Sequence, residues 1–196
     1  MSKKLLNIQS STSGPNSVTA KLSQAVLDHL QSQGELSILE RDLQKSELPL
    51  LRPELVGAYF TPEEERSAEQ KELLTTSDQY VQEWLDHDVI VMSAPMYNFG
   101  IPGALKAYFD LLARVNRTFS YTAEGPVGHL KNKKVIVTVA TGGTPLGSPY
   151  DFVTPYVKQF LNFLGVDDIT FISIDKRGDF EEHFASAKSE IQKIQL

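Results

Sequence analysis

The chain has 196 residues, a length typical of one domain. Its 19 Lys and Arg against 25 Asp and Glu give a formal net charge of −6, so we expect no general binding to nucleic acid. The absence of cysteine excludes disulfides, thiol catalysis and Cys-ligated metal centres. There is neither an apolar run long enough to cross a membrane nor a secretory signal at the N-terminus, so we predict a cytoplasmic protein without a membrane partner.

The first part of the chain predicts a β-α-β unit. A short apolar run at 4–9 predicts a strand, and apolar residues at helical spacing predict a helix over 17–33. A second strand is predicted at 36–40, and two strands joined through a helix favour a parallel sheet. Residues 42–60 contain two prolines and show no clear period, so we expect an irregular excursion there.

The rest of the chain alternates helices and strands. A helix is predicted to begin at Thr61, with Glu64 completing a capping box, and to run to about Leu85. The later elements are predicted as strand 88–93, helix 102–114, strand 134–139, helix 150–164, strand 169–174 and helix 179–194. Five strands alternating with helices predict an α/β fold with a three-layer, doubly wound parallel sheet. The expected order is flavodoxin-like, 2-1-3-4-5, and residues 1–196 should form a single domain.

Three loops are candidates for a binding site, because ligands of open parallel sheets lie beyond the carboxyl ends of the strands. The first loop (10–17) is rich in hydroxyls and leads into a helix N-terminus, where free amides favour a phosphate. An ordinary capped loop has the same composition. Neither an N-terminal G-x-G-x-x-G nor a P-loop sequence is present, so we expect no dinucleotide held by such a motif.

The other two loops are also open to two interpretations. The second loop (94–101) contains Met96, Tyr97 and Phe99, which suit a planar aromatic ligand as well as they suit core packing. The third loop (141–149) contains consecutive glycines, which allow positive φ and a close approach of a ligand to the backbone, and which also occur in plain turns. The residue types alone do not decide between ligand binding and ordinary structure.

Together, the loops carry a resemblance to a known family. The pattern comprises A-P-M-Y-N-F-G-I-P at 94–102, L-K-A-Y-F-D at 105–110, T-F-S-Y-T at 118–122 and G-P-V-G at 125–128. With Ser10 and the glycine pair at their spacing, the chain resembles the FMN-dependent NADH:azoreductases, also described as NADH:quinone oxidoreductases, over nearly its whole length. P-M-Y-N-F before I-P is the specific part of the pattern. The resemblance implies FMN as cofactor and NADH as electron donor.

The resemblance also implies roles for individual residues. FMN phosphate contacts are expected at Ser10, Asn16, Ser17 and Val18, and contacts to the isoalloxazine ring at Met96, Tyr97, Asn98, Phe99, Ala140, Thr141, Gly142 and Gly143. The amides of Asn98 and Phe99 are candidates for holding flavin N5 and O4, and those of the two glycines for facing O2. Candidate walls of the substrate pocket are Phe119, Tyr121 and Phe163, of which Phe163 also fits the core side of its helix. We assign no catalytic side chain and expect no metal.

The reaction that the resemblance implies is a ping-pong hydride transfer through flavin N5, from NADH to quinones or aromatic azo compounds. A quinone takes two electrons, and cleavage of an azo bond to two amines takes four. The family is homodimeric, so a second subunit would complete the pocket. One alternative is a flavodoxin-type FMN electron carrier without NADH turnover of its own. Another is a flavin-free regulatory domain; a receiver domain would need a carboxylate after the first strand, and residues 5–10 offer none.

Overall fold

The computed structural model describes residues 2–175 and 178–196 and contains seven strands and six α-helices within them. The strands are β1 (Lys3–Gln9), β2 (Leu36–Asp42), β3 (Val89–Pro95), β4 (Phe119–Thr122), β5 (Gly125–Gly128), β6 (Lys134–Ala140) and β7 (Asp168–Ile174). The helices are α1 (Val18–Gln33), α2 (Pro53–Phe60), α3 (Ala68–Asp86), α4 (Gly103–Leu112), α5 (Thr154–Phe163) and α6 (Phe180–Ile191). In the described residues, none of the helices is long and apolar enough to span a bilayer.

Five of the strands form one parallel sheet in the order β2-β1-β3-β6-β7. When only these five strands are counted, the order is 2-1-3-4-5, so the predicted flavodoxin-like order is confirmed. All seven residues of β3 are buried, as expected of a central parallel strand covered on both faces. This order places β1 and β3 side by side at the point where the strand order reverses direction, which is where ligands of such sheets bind. The first two loops lie at the carboxyl ends of these two strands.

Successive residues of the strands supply two separate hydrophobic clusters, because side chains alternate between the faces of a sheet. In β1, Leu5 belongs to a cluster that includes residues of α1 and α6. Its neighbour Leu6 belongs to a larger cluster that includes Trp84 of α3, Tyr108 of α4 and Leu161 of α5. The core therefore fixes α1 and the strand ends that precede the loops.

The prediction of an irregular segment over 42–60 was wrong at its end, where α2 forms. Pro53 lies in the first turn of α2, where a missing amide hydrogen is tolerated, rather than acting as a helix breaker. Leu55, Ala58 and Tyr59 are buried. A helix of eight residues offers too few turns for its apolar spacing to stand out in the sequence.

The predicted start of the next helix was also wrong, because α3 begins at Ala68 rather than Thr61. The capping box is formed by Ser67 and Gln70: the Ser67 hydroxyl accepts from the Gln70 amide at 3.2 Å, and the Gln70 side chain accepts from the Ser67 amide at 3.0 Å. Residues 63–65 form a single 3-10 turn instead. Two sequences with capping potential stand close together here, and the second is the one used.

An antiparallel hairpin of β4 and β5, which the sequence did not predict, lies apart from the main sheet. Gly128 at the end of the hairpin packs directly on the chain after α5. A Cβ at Gly128 would lie 2.1 Å from the backbone nitrogen of Gly165, so only glycine permits this approach. The amide of Leu130 then donates to the carbonyl of Leu164 at 2.8 Å, which ties the hairpin to the end of α5.

Candidate functional site

The first loop is attached to β3 through Ser10. This residue is fully buried; its amide donates to the Ser93 hydroxyl at 2.7 Å, and its own hydroxyl donates to the Ser93 carbonyl at 2.6 Å. The hydroxyl proton of Ser10 is therefore used within the protein, and its oxygen remains as a hydrogen-bond acceptor. Ser93 was not predicted as a site residue, although a serine near the end of an otherwise apolar strand is a visible signal in the sequence.

The first loop ends at a capped helix N-terminus. The hydroxyl of Ser17 accepts from the amide of Ala20 at 3.2 Å and lies 2.9 Å from the hydroxyl of Thr19. Within residues 2–175 and 178–196, no protein acceptor is found for the amides of Val18 and Thr19 in the first turn of α1. Such amides, at the positive end of the helix dipole, are suited to an anion. Asn16 is exposed beside them.

Tyr97 connects the first and second loops. Its hydroxyl accepts from the amide and the hydroxyl of Thr12, at 3.1 and 3.0 Å, and lies 3.2 Å from the hydroxyl of Ser11. Burial raises the pKa of Tyr97, but the hydrogen bonds from Ser11, Thr12 and Ser13 outweigh burial and hold it below its ordinary value. The sequence pointed to Tyr97 as a ring that contacts a ligand and did not reveal its role as a link between loops.

The second loop makes a tight turn between Tyr97 and Gly100. The two residues exchange both backbone hydrogen bonds, at 2.9 and 3.1 Å, and both central residues have positive φ: 51° at Asn98 and 70° at Phe99. Asn suits the first central position, whereas the second normally takes glycine, so Phe99 is held in a strained conformation. In the part of the chain that the structure describes, the outward amides of Asn98 and Phe99 have no protein acceptor.

The third loop lies beside the second. The amide of Met96 donates to the carbonyl of Ala140 at 2.8 Å, which joins the two loops at their bases. The buried Thr141 hydroxyl donates to the carbonyl of Thr144 at 2.6 Å and accepts a long hydrogen bond of 3.4 Å from the amide of Gly143. Gly142 and Gly143 have φ of 66° and 117°, values that residues with a side chain rarely adopt. The glycine pair is thus required by the backbone path of this loop.

A buried carboxylate fixes the far end of the third loop. Asp151 accepts from the amides of Gly147, Val153 and Thr154, at 2.9, 3.0 and 3.0 Å, and from the hydroxyl of Thr154. Burial raises the pKa of Asp151, but these hydrogen bonds outweigh burial and lower it. Asp151 holds the start of α5 and was not singled out in the sequence, because its role depends on donors from both sides of it along the chain.

The three predicted pocket residues lie together, but at a distance from the loops. The ring centroids of Phe119 and Phe163 are 4.6 Å apart, and those of Phe119 and Tyr121 are 5.4 Å apart in an edge-to-face arrangement. Phe163 is the last residue of α5 and lies shortly before the amino end of β7. The three loops follow the carboxyl ends of strands that are about 23 Å long. One chain therefore does not bring this aromatic cluster to the loops.

The fold and the three linked loops define the class of the protein. The family model described as "Flavodoxin-like fold" matches residues 3–194. In a relative from Cellvibrio japonicus, named "FMN-dependent NADH:quinone oxidoreductase", 43% of 194 aligned residues are identical, and 96% of each chain is covered.

Solved structures give the same result. The azoreductase from Bacillus anthracis str. Sterne superposes with a TM-score of 0.88 at 28% identity, covering 98% of each chain. An FMN-dependent NADH-azoreductase from Bacillus anthracis str. Ames Ancestor, solved in complex with FMN, has a TM-score of 0.82 at 24% identity, covers 98% of this chain and 97% of its own, and shows the fold. The chain belongs to the family of FMN-dependent NADH:quinone oxidoreductases and azoreductases.

Proposed function

We propose that this protein binds FMN at the three loops and transfers electrons from NADH to quinones and aromatic azo compounds. The observation that carries the proposal is the turn at 97–100. Two of its amides have no protein acceptor among the described residues, and Tyr97 ties it to a loop of amides and hydroxyls. The names of the relatives, which include FMN, NADH, quinone and azoreductase, support the same function.

The donors at the edge of the sheet fit the two polar parts of FMN. The amides of Val18 and Thr19, with the nearby hydroxyls, would hold the phosphate without a cationic side chain from the first loop. The amides of Asn98 and Phe99 would donate to N5 and O4 of the flavin ring. Met96 and Tyr97 would contact the ring through their apolar atoms, as would Ala140 and Thr141 at the base of the third loop. The strained turn supports this assignment, because such backbone conformations cluster at ligand sites.

When bound, FMN would supply the redox chemistry, which is two-electron hydride transfer between NADH and a quinone, needed twice for an azo bond. The residues of this chain bind and orient. Amides fixed by the Tyr97–Gly100 turn need no rearrangement to donate hydrogen bonds, which is how preorganised sites favour developing negative charge. No side chain of the site is proposed as a proton donor or acceptor.

We further propose that the protein is cytoplasmic and forms a homodimer. We also propose that each chain is doubly wound, with helices on both faces of its sheet. The position of Phe119, Tyr121 and Phe163 supports a dimer, since their cluster lies away from the loops of its own chain and could line the site only from a second chain. A test is the oligomeric state of the purified protein, measured by light scattering. A monomer at the concentration that supports turnover would contradict the shared pocket.

Steady-state kinetics test the main proposal. We expect NADH oxidation that requires both FMN and a quinone, and parallel double-reciprocal lines when the two substrates are varied, as ping-pong kinetics require. With an azo dye we expect two NADH consumed per dye molecule. The flavodoxin-type carrier shares the fold and the FMN loops but oxidises no NADH alone, so FMN-loaded protein without NADH turnover would favour the carrier and contradict the proposal.

A further inference from the structure

Two exposed aromatic rings from different loops meet at the carboxyl edge of the sheet. Phe99 lies in the Tyr97–Gly100 turn, and Tyr150 directly follows the third loop. Their ring centroids are 6.5 Å apart with the planes inclined at 44°, within the range of about 4.5–7 Å over which aromatic rings interact. Phe99 is 55% exposed and Tyr150 is 65% exposed. Within one chain, each of the two residues thus keeps more than half of its surface exposed, which is unusual for a contact that serves only packing.

Hydrogen bonds hold the backbone that carries both rings. Phe99 is held by the two reciprocal hydrogen bonds of its turn. Tyr150 precedes the buried Asp151, whose carboxylate binds amides on both sides of it, and the amide of Asp151 donates to the carbonyl of Ser148 at 3.0 Å. A ligand that stacks on these rings therefore has little backbone freedom to remove, which favours binding.

We propose that Phe99 and Tyr150 form an aromatic ledge that binds the flat ring system of the electron acceptor and makes the enzyme prefer acceptors with two or more fused rings. The inference rests on the proposed function. Phe99 lies in the turn whose amides are assigned to the flavin, and we place the acceptor beside its ring. The centroid of the Tyr150 ring lies 6.5 Å from that of Phe99, so a fused two-ring acceptor can contact both rings better than a single-ring quinone can.

The composition of the ledge also favours a neutral, planar ligand. Stacking with aromatic rings depends on polarisable flat faces and tolerates many substituents. Neither ring of the ledge carries a charge, and Tyr150 offers one hydroxyl at its edge. NADH also contains flat rings, so the experiment has to separate the donor from the acceptor.

The test compares Tyr150→Ala with Tyr150→Phe and with a matched control, Phe152→Ala. Phe152 is 59% exposed and stands two positions further along the chain, and no ring contact joins it to the ledge in the described residues. For Tyr150→Ala we expect KM for 1,4-naphthoquinone to rise roughly two- to tenfold, as loss of one aromatic contact implies. KM for 1,4-benzoquinone should change by less than about twofold. Tyr150→Phe and Phe152→Ala should match the parent protein for both quinones, and Tyr150→Trp should lower KM for naphthoquinone.

Two kinetic results would overturn the ledge. One is an equal change, or no change, in KM for the two quinones in Tyr150→Ala. The other is a fall in the rate of FMN reduction by NADH of the same size, which would assign the rings to the donor. Calorimetry without NADH measures the affinity of the oxidised protein for 1,4-naphthoquinone, and so tests the ledge even if the protein shows no turnover. A loss of affinity in Tyr150→Ala alone then supports the ledge, and equal affinity in all variants contradicts it, whatever becomes of the proposed reaction.

Discussion

Two regions of the molecule differ in how their polar groups are paired: the contact between α3 and α4, and the carboxyl edge of the sheet. Between the helices, the indole N–H of Trp84 donates to the hydroxyl of Tyr108 at 2.9 Å, and both side chains are fully buried. At the edge, the amides of Asn98 and Phe99 point outward with no protein acceptor among the described residues. The first arrangement stabilises the fold, because a buried donor is expensive to leave unpaired. The second keeps donors available for a ligand.

Arg114 stands between these two cases. Its Nη1 donates to the hydroxyl of Ser77 and to a carboxylate oxygen of Asp78, each at 2.8 Å, and its guanidinium lies 4.6 Å from the ring centroid of Tyr59. Its Nε and Nη2 are buried and have no hydrogen-bond partner within the described part of the chain. Burial lowers the pKa of Arg114, although Asp78 acts against that shift. Among the described residues, Gln9 Oε1 is a further buried side-chain atom without a hydrogen-bond partner, so the polar groups of the core are mostly but not completely paired.

The largest effect is expected in the core. Trp84→Ala should lower the free energy of unfolding of the FMN-free protein by about 3–5 kcal/mol, the usual result of removing a large buried aromatic side chain. Urea denaturation measures the change. Tyr108→Phe is the matched control for the hydrogen bond alone and should lower it by about 1–3 kcal/mol, because the indole N–H is left unpaired. The FMN affinity of the folded fraction should stay within about twofold of the parent value. A larger loss of affinity would show that the core contact also affects the binding site.

The next effect concerns Asp151, which fixes the third loop. Its pKa is lower in the folded protein than in the unfolded chain, so its contribution is present above the unfolded value of about 3.9 and is lost as the pH falls through the folded value. Asp151→Asn should therefore lower the free energy of unfolding by about 1–3 kcal/mol at pH 7. The difference between parent and variant should narrow below about pH 4, as urea titrations over a pH series would show. A constant difference from pH 7 to pH 3 would contradict the role of the charge.

A smaller effect is expected at the N-terminus of α1. Ser17→Ala removes the cap that accepts from the Ala20 amide, and should lower the free energy of unfolding by about 1 kcal/mol. It should also weaken FMN binding, because the amides beside it lose their fixed position. Ser32→Ala is the matched control in the same helix, since the Ser32 hydroxyl donates to the His29 carbonyl far from the loops. Fluorescence titration with FMN that gives equal affinities for both variants would count against a phosphate site here.

The smallest expected effect tests the strain at Phe99. Both Phe99→Gly and Phe99→Ala remove the ring, but only glycine adopts a φ of 70° without strain. The glycine variant should therefore unfold with a free energy higher by about 1 kcal/mol than the alanine variant, measured without FMN. If the alanine variant is as stable as the glycine variant, the backbone at Phe99 is not strained, and strain does not distinguish this edge of the sheet from the core.

The sequence predicted the parts of this account that depend on local pattern. The apolar runs located all five strands of the parallel sheet, and their alternation with helices predicted their order. The short α2 was missed because its eight residues offer too few turns for apolar spacing to stand out. The capping residue Ser67 was missed because Thr61 nearby has a similar local preference. In the site, the resemblance predicted that Tyr97 and the glycine pair contact the flavin ring, and that assignment stays a prediction. The bonds of Ser10 to Ser93 join residues 83 positions apart, and no local pattern reveals such pairs.

The contact of Phe99 with Tyr150 could not be predicted from the sequence, because it also joins residues that are far apart along the chain. Tyr150 looked like the start of a helix, whereas the donors that converge on Asp151 delay α5 until Thr154 and leave the Tyr150 ring exposed. Three-dimensional contacts of this kind decide which side chains a ligand meets, while the pattern of apolar residues decides only where the loops begin.

The most direct test of the central claim is an anaerobic stopped-flow experiment in which FMN-loaded protein is mixed with NADH while the visible flavin absorbance is recorded. We predict rapid bleaching of that absorbance, followed by its full return when a quinone is added. FMN that stays oxidised with NADH, and also with NADPH in the same cell, would contradict the claim that this edge of the sheet supports hydride transfer.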